Sequence, residues 1–385
     1  MNTPADPLTV SLRQRRAQIV EWLLIWAATR LALVVVASVG PWLLGKPGDL
    51  APPTNAIERW NQWDVSFYSG IAITGYQASG TPPNLAFLPG LPLLLKTLHG
   101  MGIGWVLAGV LLSLVAAALT VVGFGLVIED VWPGAGRNAV LLLGTAPSTI
   151  FLSAGYPEPW FLCGAVWAFY FARNDQWWPA GVCAAAAMLF RVNGLFLAAS
   201  LGVLWLVERR HRTFCRLLPL ALPILVLSGW IVYLHALTGD WFAWQHAQAT
   251  GWKRHFVGPV ASLRTSWIAA FRHEQSEHFH WYDANFIWMA RAEIVAVTVG
   301  LFFTGWLVVV RRWAEAAYVF FPIFSLATST WYFSVPRSLI LAWPIYGLLA
   351  ALSLRFRWVI PLWFSLCAPL AILFAATFFN GRWAG

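Results

Sequence analysis

Long apolar runs, separated by short polar connectors, fill most of this chain. The first run extends from about Glu21 to Leu44. The later runs lie at 104–128, 137–154, 159–172, 177–191, 194–207, 214–236, 285–310, 314–331, 337–353 and 358–379. Because about 20 consecutive apolar residues in a helix cross the hydrocarbon core of a bilayer, the pattern predicts about eleven transmembrane helices. The predicted fold class is an all-α polytopic membrane protein.

Two long polar segments interrupt the apolar runs, at 45–103 and 237–284. The first contains two short apolar stretches, 63–75 and 87–99, which are too short to span a bilayer and are predicted to be juxtamembrane helices. The predicted domains are a cytoplasmic tail (1–20), a single transmembrane domain (21–379) and a C-terminal tail (380–385). Chemistry is therefore expected on the face that carries the two polar segments.

The composition supports a membrane protein and argues against a nucleic-acid-binding protein. Of the 385 residues, 59% are hydrophobic and only 11% are charged, unlike a soluble domain. The formal charge is +9, but much of the excess lies in arginine clusters between apolar runs, such as that from Arg209 to Arg216. Short basic loops are retained on the cytoplasmic side. The amino terminus is thus predicted inside, and both long polar segments outside.

Asp64 is the candidate catalytic residue. It lies just beyond the first apolar run, next to Trp63, in a chain where charges are scarce. A carboxylate within hydrogen-bond reach of an acceptor hydroxyl can take its proton as that hydroxyl attacks. The alternative is a helix cap or a first-turn acid stabilised by the helix dipole. Trp63 is a candidate for stacking on a sugar.

The predicted topology collects further polar side chains on the same outer face. They are Glu158, Arg191, Asn193, Arg337 and, in the second long segment, His246. Glu158 either caps the helix that follows it or belongs to the site. His246 either binds the acceptor or is a structural histidine at the interface. Together with Trp63, three of these residues (Glu158, Asn193 and His246) are predicted to bind substrate.

Arginines are the candidates for binding a phosphate group. A guanidinium forks onto phosphate oxygens, and Arg337 lies at an outer membrane boundary, so it is the first choice, followed by Arg191. Arg30 lies inside the first apolar run. An arginine there must snorkel or face a polar cavity, and contact with a lipid phosphate is the functional alternative.

Several segments resemble, in order, the motifs of the PIG-V-like mannosyltransferases, relatives of the second GPI mannosyltransferase. The match covers most of the chain from about 60 to 345, and its form resembles the bacterial branch. The segments are Trp63-Asp64, Ile71-Ala72, Gly75-Tyr76, Ala86-Phe87-Leu88-Pro89-Gly90-Leu91-Pro92, Tyr156-Pro157-Glu158-Pro159-Trp160-Phe161, Phe190-Arg191-Val192-Asn193-Gly194-Leu195 and Pro336-Arg337-Ser338-Leu339-Ile340-Leu341-Ala342-Trp343-Pro344.

The resemblance implies a GT-C glycosyltransferase fold. It implies transfer of mannose from polyprenyl-phosphate mannose to a hydroxyl of a glycolipid, glycan or protein acceptor on the extracytoplasmic face. It also implies an acidic base in the first outer loop, which fits Asp64. Related enzymes use arabinose or glucose carriers, so the donor type is better specified than its sugar. Pro157 and Pro159 stand where the family usually has serines, which removes a hydroxyl contact there but leaves Glu158.

Two other functions compete with an enzyme. A multi-pass transporter or a lipid-linked sugar flippase would share the composition, but such proteins tend to show internal repeats and midplane charges. Here the candidate charges lie at one face, which favours the enzyme. A pseudoenzyme that scaffolds a complex is a third possibility. The plasma membrane is the expected location, with the endoplasmic reticulum as the alternative.

No cofactor and no metal ligand is predicted, and a divalent-metal requirement is left open. The segment 273–283 contains histidines and acids, but their spacing matches no strong metal pattern. A solvated loop is the expected structure there.

Overall fold

A computed structural model describes residues 7–44, 55–78, 84–208, 213–272 and 284–385. Within these residues the chain is helical, and strand pairing is limited to an isolated bridge between Phe256 and Ser329. The α-helices are α1 (Pro7–Leu44), α2 (Asp64–Thr74), α3 (Gly90–Gly100), α4 (Trp105–Val131), α5 (Gly136–Gly144), α6 (Glu158–Arg173), α7 (Trp177–Met188), α8 (Gly194–Val207), α9 (Ala221–Thr238), α10 (Ala243–Trp252), α11 (Pro259–Trp267), α12 (Ala284–Val309), α13 (Trp313–Ala327), α14 (Val335–Leu339), α15 (Trp343–Arg355) and α16 (Val359–Phe379). The predicted all-α class is confirmed.

Five of these helices, α1, α4, α9, α12 and α16, are long and apolar enough to cross a membrane. Helices α8 and α13 are apolar but shorter. The protein is therefore a multi-pass integral membrane protein, as the hydropathy pattern predicts. The number of about eleven spans stays a prediction.

The two juxtamembrane helices predicted in the first polar segment are present as α2 and α3. Two predicted spans are broken. The run 137–154 contains α5 and then a short 3₁₀ turn, Thr149–Leu152, and the run 337–353 is divided between α14 and α15. Prolines explain part of this, because Pro147 and Pro344 follow the first helix of each pair and lack the N–H that would continue it. Helix α1 begins at Pro7, inside the predicted tail.

Helix α6 lies at the centre of the bundle, packed against α4 and α7. Gly164 makes the α6–α7 contact possible, because a Cβ there would lie 2.7 Å from the carbonyl oxygen of Cys183. Small residues allow helix backbones to approach in this way in membrane proteins. The helix carries Glu158 in its first turn and Arg173 in its last. These two charges are thus roughly 22 Å apart along the axis, at a rise of 1.5 Å per residue.

The end of α6 with Arg173 holds an ion-pair cluster of its own. Arg173 contacts both Glu315 and Glu208, and Arg312 donates to the carbonyl oxygen of Val131. The predicted cytoplasmic ends of several helices therefore meet here. The predicted outer residues meet at the opposite end of α6.

Candidate active site

Asp64 is the first residue of α2. Its neighbour Trp63 has a φ of 53°, a conformation that non-glycine residues rarely adopt, and residues held in such conformations cluster at functional sites. Trp63, and not Asp64, occupies the N-cap position of α2, and Asp64 lies in the first turn of that helix. The Asp64 carboxylate accepts a hydrogen bond from Arg337 Nη1 at 2.6 Å. Asp64 is thus not the N-cap residue, but its first-turn position fits the alternative of an acid stabilised by the helix dipole.

Glu158 begins α6, and its side chain is fully buried. Its Oε1 accepts hydrogen bonds from both Arg191 and Arg337, while its Oε2 is buried without a partner. A buried carboxylate is stable only when it is paired, and the two arginines supply that pairing.

Arg337 joins the two carboxylates. Its Nε donates to Glu158 and its Nη1 to Asp64, and its guanidinium lies 4.4 Å from the ring centroid of Tyr156. Burial alone would lower the pKa of Arg337, but Glu158 and Asp64 offset this and raise it well above its usual value. The residue is therefore a permanent cation between two acids.

Glu293 of α12 holds the short helix that carries Arg337. Its two carboxylate oxygens accept hydrogen bonds from the backbone N–H groups of Ser334, at 2.8 Å, and Val335, at 2.7 Å. Ser334 has a φ of 64°, which turns the chain sharply into α14. The N-terminal N–H groups of a helix lack internal partners, so a buried acid from another helix stabilises this turn and fixes the position of Arg337.

A cavity of about 870 Å³ opens beside these charged residues. Its lining combines residues from both long polar segments with residues from the connectors around Pro157, Asn193 and Ser334, together with aromatic side chains. They include Asp64, Tyr68, Phe87, Pro157, Arg191, Asn193, Trp244, His246, Arg254, His255, Phe333, Ser334, Arg337 and Trp383. Volumes in this range hold small-molecule ligands.

An apolar groove of about 510 Å³ adjoins this cavity. Leu88 lines both spaces. The groove runs between the first juxtamembrane helices and α9, and its lining includes Ile71, Tyr76, Pro92, Leu225 and Trp230. Its mostly apolar lining suits a hydrocarbon chain.

The structure brings most of the predicted site residues together at this cavity, and among the described residues Trp63, Glu158 and Arg30 lie outside its lining. His246 lines the cavity, and its Nδ1 lies 2.6 Å from Asp240 Oδ2. Trp63 lies beside the cavity lining, packed edge-on against Trp383 at 5.4 Å between ring centroids. Asn193 lies in the cavity wall next to Arg191.

Arg30 is buried among α1, α5 and the 3₁₀ turn. It donates to the carbonyl oxygens of Gly144, at 2.8 Å, and Thr149, at 3.0 Å, and to the hydroxyls of Thr149 and Ser153. Within the described residues it does not line the main cavity. Its role toward a lipid phosphate stays a prediction, although these contacts already occupy its donors.

Three residues of the site were not among the predicted ones: Arg254, Glu293 and Trp383. Arg254 lies in the second long polar segment as one cation among several, and nothing in its spacing distinguishes it. Trp383 lies in the predicted C-terminal tail, beyond the last apolar run, where it stacks on Phe333 at 4.5 Å between ring centroids. Among the described residues there is no cluster of three or more metal-ligand side chains. The segment 273–283, discussed above for metal binding, lies outside them.

Comparison with known proteins gives one curated relative of similar sequence. A segment of 184 residues is 30% identical to GPI alpha-1,6-mannosyltransferase 2 of Mus musculus, and it covers 44% of this chain and 34% of that protein. The chain thus aligns with about a third of the length of this relative. No protein-family profile matches the chain.

Two solved structures are similar in overall arrangement, both of the oligosaccharyltransferase of Archaeoglobus fulgidus. The apo form matches with a TM-score of 0.46 at 13% identity, covering 94% of this chain and 56% of that one. The complex of this enzyme, AglB, with an inhibitory peptide and a dolichol-phosphate matches with a TM-score of 0.44 at 13% identity, covering 93% and 56%. With TM-scores below 0.5, neither likeness identifies the fold of this chain.

Proposed function

We propose that this protein is a GT-C glycosyltransferase that moves a mannosyl residue from polyprenyl-phosphate mannose to a hydroxyl group of a glycolipid, glycan or protein acceptor. The observation that carries the proposal is the position of Asp64. Its carboxylate is held by Arg337 at the wall of a polar cavity, and that cavity adjoins an apolar groove through Leu88. A substrate with a sugar phosphate head and a lipid tail fits this arrangement.

The proposed reaction is a single displacement. Asp64 takes the proton of the acceptor hydroxyl, the acceptor oxygen bonds to C1 of the mannosyl group, and the bond between C1 and the phosphate oxygen breaks. Polyprenyl phosphate leaves with an additional negative charge. In-line attack on a β-linked donor would give an α-linked product.

The arginines account for the charge that develops on the leaving phosphate. Fixed cations that face developing charge in a site shielded from water stabilise the transition state more than they do in water. Arg337 and Arg191 both line the cavity. Their hydrogen bonds to Glu158 hold them in place, so little reorganisation is needed when the charge forms.

The choice of mannose follows the name of the mouse relative and the motif resemblance. The face of the membrane follows the predicted topology, in which the arginine-rich connectors are cytoplasmic. We propose an extracytoplasmic site in the plasma membrane, with the endoplasmic reticulum as the alternative location. The predicted substrate contacts of Trp63, Glu158, Asn193 and His246 belong to the same proposal.

Transfer of radiolabelled mannose from polyprenyl-phosphate mannose to membrane acceptors tests the proposal. Asp64→Asn keeps the size of the side chain and removes the base, so kcat should fall by about 100- to 10,000-fold, the usual contribution of general base catalysis. Asp130→Asn is the matched control. Asp130 lies near the C-terminal end of α4, outside the lining of the main cavity, and accepts a hydrogen bond from Asn174. It should retain full transfer.

The outcomes separate the assignments. Undiminished transfer by a folded Asp64→Asn variant would remove Asp64 as the base and leave Glu158 and His246 to be tested. Absence of transfer by the wild type from mannose, glucose and arabinose carriers would reject the enzyme and favour the transporter or flippase.

A further inference from the structure

Three arginines line the main cavity, and they differ in what neutralises them. Arg337 and Arg191 both donate to carboxylates. Arg254 forms no ion pair within 4.0 Å to a described carboxylate, and its side-chain hydrogen bond among the described residues joins Nη2 to the carbonyl oxygen of Phe333 at 3.0 Å. Its Nε is shielded from solvent without a partner. Arg254 is thus the cavity arginine whose charge and donors are least used by the protein.

Glu293 is the carboxylate with the largest electrostatic effect on Arg254, but it forms no ion pair with it. Glu293 acts on Arg254 through space, but both of its oxygens are bound by the backbone N–H groups of Ser334 and Val335. Arg191 and Arg337 repel the same charge. Burial together with these neighbours lowers the pKa of Arg254 to about 10, so the guanidinium stays protonated at neutral pH. A desolvated cation in this position gains from an anion in the cavity.

The backbone around Arg254 is fixed in a way that suits a binding residue. Lys253 has a φ of 51° and ends α10. The residues that follow pair with the segment after α13: the N–H of His255 donates to Thr330 Oγ1 at 2.9 Å, and the N–H of Val257 donates to the carbonyl oxygen of Thr328 at 2.8 Å. The Phe333 ring lies 5.2 Å from the guanidinium carbon. The backbone next to Arg254 is therefore held by hydrogen bonds to the segment after α13, and these hold Arg254 at the cavity.

We propose that Arg254 is the principal ligand of the donor's phosphate group, with Arg191 beside it, and that Arg337, in addition to facing the leaving phosphate, positions Asp64 and Glu158. This deepens the proposed function and rests on it for the identity of the donor. A phosphate diester offers two charged oxygens to the planar fork of a guanidinium. The adjoining groove offers the lipid tail a path past Leu88.

Binding and transfer are measured on the full chain in lipid nanodiscs, with radiolabelled polyprenyl phosphate as the binding probe. Arg254→Gln removes the charge and should weaken binding by about 10- to 100-fold, the range for hydrogen bonds between charged groups. Arg254→Lys keeps a charge that can reach Phe333 and should lose less. Arg264→Gln removes an exposed cation from α11, in the same outer segment, and should bind as the wild type does.

Equal affinity of Arg254→Gln and the wild type would overturn the proposal. Competition separates the possible sources of the anion: inorganic phosphate and phosphatidylglycerol vesicles should compete far less well than unlabelled polyprenyl phosphate. Equal competition by either would show a general anion site and reject the donor assignment.

The transfer assay distinguishes failure of this inference from failure of the proposed function. A wild type that binds polyprenyl phosphate through Arg254 but transfers no sugar would reject the enzyme and keep the anion site. An Arg254→Gln variant that transfers mannose with an unchanged KM for the donor would keep the enzyme and reject the role of Arg254.

Discussion

Arg337 Nη1 lies 2.6 Å from Asp64 Oδ2, although 273 positions separate the two residues in the chain. The same guanidinium donates through Nε to the buried Glu158. One arginine on a five-residue helix thus sets the relative position of the candidate base and the central acid. The fork of the guanidinium makes this possible, because two of its donors point to two different carboxylates.

Arg337→Lys should therefore impair transfer although it keeps the charge. A lysine ammonium is a compact point charge and cannot reproduce the fork between Asp64 and Glu158. We expect kcat to fall by about 100-fold, which is the effect that a displacement of about 1 Å can have on an oriented group. The measurement is mannose transfer at saturating donor and acceptor.

The control for this variant is Arg173→Lys, at the other end of α6. Arg173 contacts Glu208 and Glu315 much as Arg337 contacts its two acids. We expect Arg173→Lys to lower thermal stability about as much as Arg337→Lys does, with little change in kcat. Equal kcat for Arg337→Lys and the wild type would contradict the proposed positioning of Asp64.

Glu293→Gln should act on the reaction through α14. A glutamine oxygen can accept one of the two backbone N–H groups of Ser334 and Val335, but its NH₂ group faces the other. We expect a loss of about 1–3 kcal/mol in the free energy of unfolding, the cost of a buried polar group left unsatisfied. Because Arg337 shifts, kcat should fall while the KM for the donor changes little.

Glu129→Gln is the matched control for Glu293→Gln. Glu129 also accepts two backbone N–H groups, those of Gly134 at 2.7 Å and Gly136 at 2.8 Å, but it lies near the end of α4 for which the sequence predicts a cytoplasmic position. It should alter stability without altering kcat. Parallel losses of kcat in both variants would reduce Glu293 to a general structural role.

Gly229→Phe tests the groove as the path of the lipid chain. Gly229 lines the groove, and a Cβ at this position has no neighbour within 4 Å. A phenyl ring should therefore enter the groove without disturbing α9. We expect the KM to rise for long-chain polyprenyl-phosphate mannose and to change little for a donor with a short chain.

Gly202→Phe provides the comparison. Gly202 of α8 has equally open space around it but lines neither the groove nor the main cavity. It should leave the KM unchanged for donors of both lengths. A similar rise in KM for both glycine variants would contradict the assignment of the groove.

The grouping of Asp64, Arg191, His246 and Arg337 could be predicted, because it depends on sequence features that are local to each segment. The apolar runs fixed the order of the helices, and the positions of basic connectors assigned the loops to sides. Scarcity of charge then singled out the few polar residues on the outer side. The juxtamembrane helices α2 and α3 followed from run length alone in the same way.

The pairing of those residues needed the tertiary structure. Glu158 could be a helix cap or a site residue by sequence, because a first-turn acid fits both. Only the packing of α6 against its neighbours buries it between Arg191 and Arg337. For Arg30 the sequence suggested a functional role, because an arginine inside an apolar run is unusual. In the structure its donors bind Gly144, Thr149 and Ser153.

By itself, the sequence determined that the chain is helical and crosses a membrane several times, and which residues could meet on one face. These properties depend on hydropathy and on the charges near helix ends, and both can be read from residues that are close together in the sequence. The tertiary structure alone decided which cavity arginine pairs with which carboxylate. Among the described residues, Asp64 and Glu158 come from distant parts of the chain to form ion pairs with Arg337, and Arg254 forms no such pair.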